Sequence, residues 1–338
     1  MKRIFTLLFA VLTATTIMAQ MHGPMKFVGA SNMKVSTMSN DNPSDTILFA
    51  MNGMESGNIT LPAMKGMQTI PSFTISGAKF TLGENHVVTF ADQTFSAKVT
   101  VDGEEKNITG SSLSGTYNMA DNSLMLTVVF QYGKMPFPMT YTVKGYYVKA
   151  VSNPIAVTVG GQFKYNNDNV TYELRRYKDG KTDKLDVTVP SYSLTNTVMG
   201  DLTLGTYTVK GLVYDEAQGG YYRDYKNDGL SFHFKAVKNG ATAMDKDYEF
   251  AKEKANNILV KYEGSNVSSI VNTFQVGTMP FGIVSVFSGA TTSINGVTTT
   301  PSHDFNTTSS QQYNLAGQRV DNNYKGIVIV NGKKYLRK

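Results

Sequence analysis

Two landmarks occur twice in this chain, in the same order, and each closes a strand-like run. Asn58-Ile59-Thr60-Leu61-Pro62, followed by Phe73-Thr74-Ile75, is answered by Asp186-Val187-Thr188-Val189-Pro190, followed by Leu202-Thr203-Leu204. Further on, Gln131-Tyr132-Gly133-Lys134-Met135-Pro136-Phe137 is answered by Gln275-Val276-Gly277-Thr278-Met279-Pro280-Phe281. Copies this long are tandem domains, since solenoid repeats run to roughly 20–50 residues. Pro190 to Pro280 exceeds Pro62 to Pro136 by about 16 residues. That extra length is expected near Asn239 to Asn257.

Within each copy the apolar residues recur with period two. Met139, Tyr141 and Val143 alternate with Thr140, Thr142 and Lys144, and Leu230, Phe232 and Phe234 alternate with Ser231, His233 and Lys235. Ile155, Val157 and Val159 do the same. Such alternation buries one face of an antiparallel sheet and wets the other. Gly, Asn and Asp gather between the runs, at 118–122, 179–180 and 227–229, and read as hairpin turns. Asp245 to Asn256 is open between a short helix and a β-hairpin. About eight strands per copy favour a closed barrel, because closure removes exposed sheet edges. The expected fold is therefore all-β, with two tandem antiparallel eight-stranded barrels.

The Leu/Val-Pro strand ends, the Met-Pro-Phe segments and the run from Tyr221 to Phe234 resemble secreted bacterial calycin-like barrel proteins. Residues 151–289 carry the resemblance more clearly than residues 24–149. It implies an eight-stranded barrel related in shape to lipocalins, and it assigns no residue roles. Barrel shape alone does not determine function.

The two ends of the chain read as addresses. Lys2 and Arg3 precede the apolar run Ile4 to Leu12, and Met18-Ala19-Gln20 follows a Thr-rich stretch. That is the pattern of a signal peptide over residues 1–19, with cleavage after Ala19. The run is too short to span a bilayer, which takes about 20 apolar residues, so no transmembrane segment is expected once it is removed. Residues 290–312 are rich in Thr, Ser, Asn and Gly and read as a flexible linker. Residues 313–338 resemble the end of a type IX sorting domain, carried by Leu315, Gly317, Arg319, Val320, Gly326, Lys333 and Lys334. A short C-terminal β-hairpin is the structural alternative for this tail. The resemblance implies the type IX secretion machinery as a partner. It places the protein outside the cell or on the outer surface of a Gram-negative bacterium, reached through the periplasm.

Charge and chemistry narrow the function. The formal net charge is +6. Lys2 and Arg3 supply +2, and the six basic residues from Arg319 onward, less Asp304 and Asp321, supply +4, leaving the body neutral. A nucleic-acid binder needs a basic patch on its folded domain, so no nucleic-acid partner is expected. The chain has no cysteine, which removes disulfides, thiolate metal sites and cysteine nucleophiles. His22, His86, His233 and His303 fall into no zinc-binding spacing, and His233 reads as a solvated side chain on a polar strand face. Met51/Met54 and Met64/Met67 read as core or pocket lining rather than copper ligands. No cofactor, metal or catalytic residue is expected, and an enzyme, a hydrolase above all, is a distant alternative. Tyr221, Tyr222, Arg223 and Tyr225 are the candidate ligand-binding group, placed at a barrel rim, because tyrosine offers an apolar body with a polar tip. The expected function is non-enzymatic binding of a small apolar or amphipathic ligand. The alternative is a structural or adhesive surface protein whose barrels are filled by their own side chains.

Overall fold

The computed structural model describes residues 23–65, 69–83 and 86–289, together with strands at 312–313, 326–330 and 333–337. Residues 1–19, most of the 290–312 linker, and Leu315, Gly317, Arg319 and Val320 lie outside the described residues. Every regular element described is a strand.

The first barrel opens with β1 (Met25–Val35), β2 (Met38–Met51) and β3 (Ser56–Leu61). Two short strands, β4 (Met64–Lys65) and β5 (Thr69–Ile70), lead to β6 (Phe73–Lys79) and β7 (Thr81–Leu82). Then come β8 (Val87–Val101), β9 (Glu104–Asn118), β10 (Ser123–Tyr132) and the 21-residue β11 (Met139–Val159). The antiparallel pairing runs β6-β3-β2-β1-β11-β10-β9-β8-β7, with β4 and β5 paired only with each other. Between β6 and β8 no backbone ladder forms. The amide of Gln93 fills that gap, accepting from the Lys79 N–H (2.8 Å) and donating to the Lys79 carbonyl (2.7 Å). One side-chain amide thus replaces a peptide pair, so few backbone groups are left without partners.

The second barrel runs β12 (Phe163–Asp179), β13 (Thr182–Val189), β14 (Tyr192–Thr197), β15 (Gly200–Leu204) and β16 (Tyr207–Asp215). It continues with β17 (Gly220–Asp224), β18 (Ser231–Lys238), β19 (Ala241–Glu249), β20 (Asn257–Glu263), β21 (Asn266–Gln275) and β22 (Gly282–Ser288). The ladder β12-β13-β16-β17-β20-β21-β22 returns to the C-terminal half of β11, which also pairs with β12. The circuit is closed by eight strands. β14, β15, β18 and β19 form a four-stranded extension at one end. There Asn167 bridges to Ser193 N–H (2.9 Å) and carbonyl (2.7 Å), as Gln93 does in the first barrel.

β11 belongs to both barrels. Its residues 139–148 pair with β1 and β10, and residues from 148 onward pair with β12 and then β22. Arg175 holds the junction, reaching the Val28 carbonyl (3.2 Å) and the buried Asp186 carboxylate. Lys26 pairs with Glu173 at 2.8 Å.

The repeated landmarks take the same structure twice. Pro62 and Pro190 end β3 and β13, the third strand of each barrel. Gln131 and Gln275 each donate from Nε2 to the carbonyl of the Met four residues on, at 2.5 Å. The Met N–H in turn meets the Tyr132 or Val276 carbonyl. Two expectations need correction, and one left open is decided. Residues 227–229 do not turn a hairpin: they join β17 to β18 within one broken strand, where the Arg223–Asp228 ion pair braces the loop. Of the two forms open to residues 245–256, strand prevails over helix at 245–249, which complete the β18–β19 hairpin. The extra length of the second copy is also divided. About nine residues fall between Pro190 and the Asn239-Gly240 turn and about seven after it, relative to Pro62 and the Asp102-Gly103 turn. The tail forms a three-stranded sheet of β23 (Gln312–Tyr313), β24 (Gly326–Val330) and β25 (Lys333–Arg337), the last two a hairpin that carries Gly326, Lys333 and Lys334.

Candidate functional site

Both interiors are built from the inward positions of alternating strands, but they are filled differently. In the first barrel, rings pack on rings: Phe27 on Tyr117 (4.9 Å between centroids), Phe49 on Phe90 (5.3 Å) and Phe73 on Phe130 (5.3 Å). Among its described residues the one buried carboxylate, Asp45, is fully engaged. Oδ2 accepts from Ser31 and from Tyr141 (2.9 Å), and Oδ1 accepts from Asn42 (2.6 Å).

The second barrel encloses a cluster of polar groups at mid-depth. Tyr172 comes from β12, Tyr192 from the start of β14, Tyr207 from the start of β16 and Tyr225 from just beyond β17. Asn272 of β21 and Ser285 of β22 face them, and both are completely buried. One chain of bonds is defined. Tyr225 donates to Asn272 Oδ1 (2.8 Å), and Asn272 Nδ2 donates to the Tyr207 hydroxyl (2.6 Å). The proton of Tyr207 then has only a 3.5 Å contact with Tyr225. The hydroxyls of Tyr172, Tyr192 and Ser285 are buried and make no hydrogen bond within the protein. Ser285 lies near enough to both phenols to oppose part of the effect of burial on them, yet bonds neither. Burial pushes the Tyr172 phenol up to about 12, and it holds Tyr192, Tyr207 and Tyr225 well above the ordinary phenol value. At neutral pH all four are protonated and able to donate.

An aromatic sleeve surrounds this cluster. Tyr207 lies 5.0 Å from Phe250 and 5.7 Å from Phe232, Tyr225 lies 5.1 Å from Phe250, and Tyr172 lies 5.4 Å from Phe287. At the end of the barrel away from β11's midpoint, the turns after β11, β14 and β21 expose Phe163, Val198 and Phe281.

The residues expected to bind ligand are not gathered in one place. Tyr225 is in the core, not at a rim. Tyr221 is buried against Tyr214 (5.7 Å) and Tyr262 (6.0 Å), with the Arg176 guanidinium 5.6 Å from its ring. Tyr222 is half-buried, and Arg223 forms a two-pronged pair with Asp228 at 2.7 and 2.9 Å. Sequence reasoning passed over Tyr172, Tyr192, Tyr207, Asn272 and Ser285. The available signal was a polar residue in an inward apolar series: Ile270-Asn272-Phe274 and Ile283-Ser285-Phe287.

Two other features are weaker candidates. A groove of about 630 Å3 crosses the outer wall of the first barrel beside Asn32, Thr116, Met125, Thr127, Thr142 and Lys144. It is open, and it holds none of the buried polar groups that lack partners. His233 sits on the outer face of β18 between Asp245 (2.7 Å) and Asp247 (2.9 Å). Its hydrogen bonds to Asp247 and then Asp245 raise the imidazole above its ordinary value. Among the described residues, no group of three or more His, Asp or Glu is arranged to hold a metal.

A family model described as the calycin-like β-barrel domain matches residues 25–146 and again residues 155–290. No curated protein matches the chain. Among solved structures, a Bacteroides fragilis chain provisionally named an outer membrane protein aligns over 78% of this chain and 96% of its own. The two are 14% identical with a TM-score of 0.26, a superposition that carries no argument.

Proposed function

Because the chain belongs to the calycin-like β-barrel family in both of its halves, we propose that it is a non-enzymatic binding protein whose second barrel holds a small apolar or amphipathic molecule. One observation carries this reading: the unpartnered hydroxyls of Tyr172, Tyr192 and Ser285 inside that barrel. A buried polar group without a partner costs about 1–3 kcal/mol. Three in one cluster suit a ligand that supplies the missing bonds, and an eight-stranded barrel can enclose one small molecule. The first barrel supports the structural reading for itself, since its buried carboxylate, Asp45, is satisfied by Ser31, Tyr141 and Asn42. The protein thus pairs a binding barrel with a scaffolding one.

The same proposal takes the protein to the outer surface or the medium, with residues 1–19 removed and residues 313–338 read by the type IX machinery. Tyr222 and Arg223, flanking the base of the second barrel, are outer-surface contacts in this reading rather than ligand contacts. The test is to express the full chain in a Gram-negative host carrying that machinery and to record native mass spectra of the exported protein. The expected spectrum shows a chain beginning at Gln20 with one small molecule bound. Removing 313–338 should trap the protein in the periplasm. A ligand-free mass overturns the binding reading, and undisturbed export without the tail overturns the sorting reading.

A further inference from the structure

We infer that the molecule held by the second barrel is uncharged and presents a hydrogen-bond-accepting oxygen, such as a ketone, aldehyde or ester carbonyl, to Tyr172, Tyr192 and Ser285. This rests on the binding reading above and adds the chemical class. The groups that converge are hydroxyls, and direction can be assigned to one more of them. Asn272 donates to the Tyr207 oxygen, so the Tyr207 proton must point away from Asn272 and joins the donors on offer. The protons of Tyr172, Tyr192, Ser285 and Tyr207 are therefore uncommitted, while that of Tyr225 is committed to Asn272. Each hydroxyl can also accept, but the Tyr207 proton is directed away from Asn272, and a carbonyl oxygen, with two lone pairs and no proton, can take it together with one more.

Charge decides against ions. The inward positions around the cluster carry Tyr, Asn, Ser and apolar side chains. The buried carboxylate of Asp186 sits on an outward position of β13 and pairs with the part-buried Arg175. An anion would be buried with hydroxyls alone to hold it, and an unpaired buried charge is far costlier than a neutral polar group. A cation could be held over ring faces, but the faces here are occupied. Tyr207 is surrounded by Phe232, Phe250, Phe274 and Tyr225, all within 6.4 Å between centroids.

The experiment uses four small probes of nearly the same shape: acetophenone, ethylbenzene, benzoate and phenyltrimethylammonium. Their dissociation constants for the exported full chain are measured by ligand-observed NMR, after any copurified molecule has been exchanged out. Acetophenone should bind at least about tenfold more tightly than ethylbenzene, a margin worth one net hydrogen bond. Benzoate and phenyltrimethylammonium should bind more weakly than ethylbenzene. In Tyr172→Phe/Tyr192→Phe the acetophenone margin should vanish while ethylbenzene affinity holds. Should the double variant fail to fold, the single Ser285→Ala variant should narrow the margin. Equal affinity for acetophenone and ethylbenzene overturns the inference, as does tighter binding of either ion. So does a copurified molecule that is ionised at neutral pH, and in that case the binding reading survives. If no probe binds and the native mass is ligand-free, buried water satisfies the hydroxyls, and both readings fall together.

Discussion

Two buried polar clusters, one in each barrel, make opposite claims on stability. Asp45 accepts three hydrogen bonds, so removing a donor breaks a bond to a carboxylate, which is worth about 1.5–3 kcal/mol. Tyr172 makes none, so removing its hydroxyl relieves an unsatisfied group at little loss of packing. Tyr141→Phe should lower the free energy of urea unfolding by about 2 kcal/mol, whereas Tyr172→Phe in ligand-free protein should leave it unchanged or raise it. Equal losses in the two variants would mean that Tyr172 has a partner after all. This contrast was hidden in the sequence. Tyr141 and Tyr172 both lie on inward positions between apolar neighbours, and period two predicts their burial equally well. What separates them is whether another strand brings an acceptor opposite, and that depends on register. The same limit explains Tyr225. It follows Tyr221 and Tyr222 closely in sequence, but the break after β17 turns it into the core, where Asn272 of β21 receives its proton.

Elements were easier to read, because a repeat reports on itself. The paired Gln-x-Gly-x-Met-Pro-Phe segments suggested one local structure used twice. The two loops do share a left-handed glycine, Gly133 and Gly277, and the same glutamine-to-methionine bond. In each loop the Met is partly buried against its core while Phe137 or Phe281 stands exposed. If the glutamine is the clasp, Gln131→Ala and Gln275→Ala should each speed amide hydrogen exchange across their own loop, at Met135 and Met279, by roughly five- to tenfold. That corresponds to a net hydrogen bond of about 1 kcal/mol. Unchanged exchange in either loop would show that the Met N–H turn alone holds it. Strand breaks were less legible. Period two says which face of a strand is inward, but it does not say where a ladder changes partner. The chain resolves those points with single side-chain amides: Gln93 to Lys79, Asn167 to Ser193, and Asn256 to the Gln275 N–H (3.0 Å). Such an amide looks in sequence like any other polar residue.

At the scale of the whole molecule, the two copies are one continuous sheet rather than two beads, because β11 closes the first barrel and opens the second. A boundary near residue 150, which the repeat suggests, falls inside that strand. A shared strand fixes register across the junction but by itself couples the barrels weakly, since either half of β11 can keep its own partners. Energetic coupling must come from bonds that cross. Lys26–Glu173 is about a third exposed at both ends, so it contributes at most about 1 kcal/mol. Arg175 is the stronger link. It is largely shielded, it holds the buried Asp186, and it donates to the Val28 carbonyl of the other barrel. Its loss would leave Asp186 held by the Gly211 N–H at 2.8 Å, and breaking a buried pair on one side costs about 3 kcal/mol or more. Arg175→Ala should therefore destabilise β12 and β13 directly and also loosen β1, over Met25–Gly29, in the neighbouring barrel. Hydrogen exchange resolved by peptide mass spectrometry checks this. Lys26→Ala, as the control, should leave β13 untouched. Faster exchange confined to β12 and β13 would mean that the barrels are joined by chain continuity alone. Faster exchange reaching β1 would mean that a ligand tightening the second barrel also steadies the first.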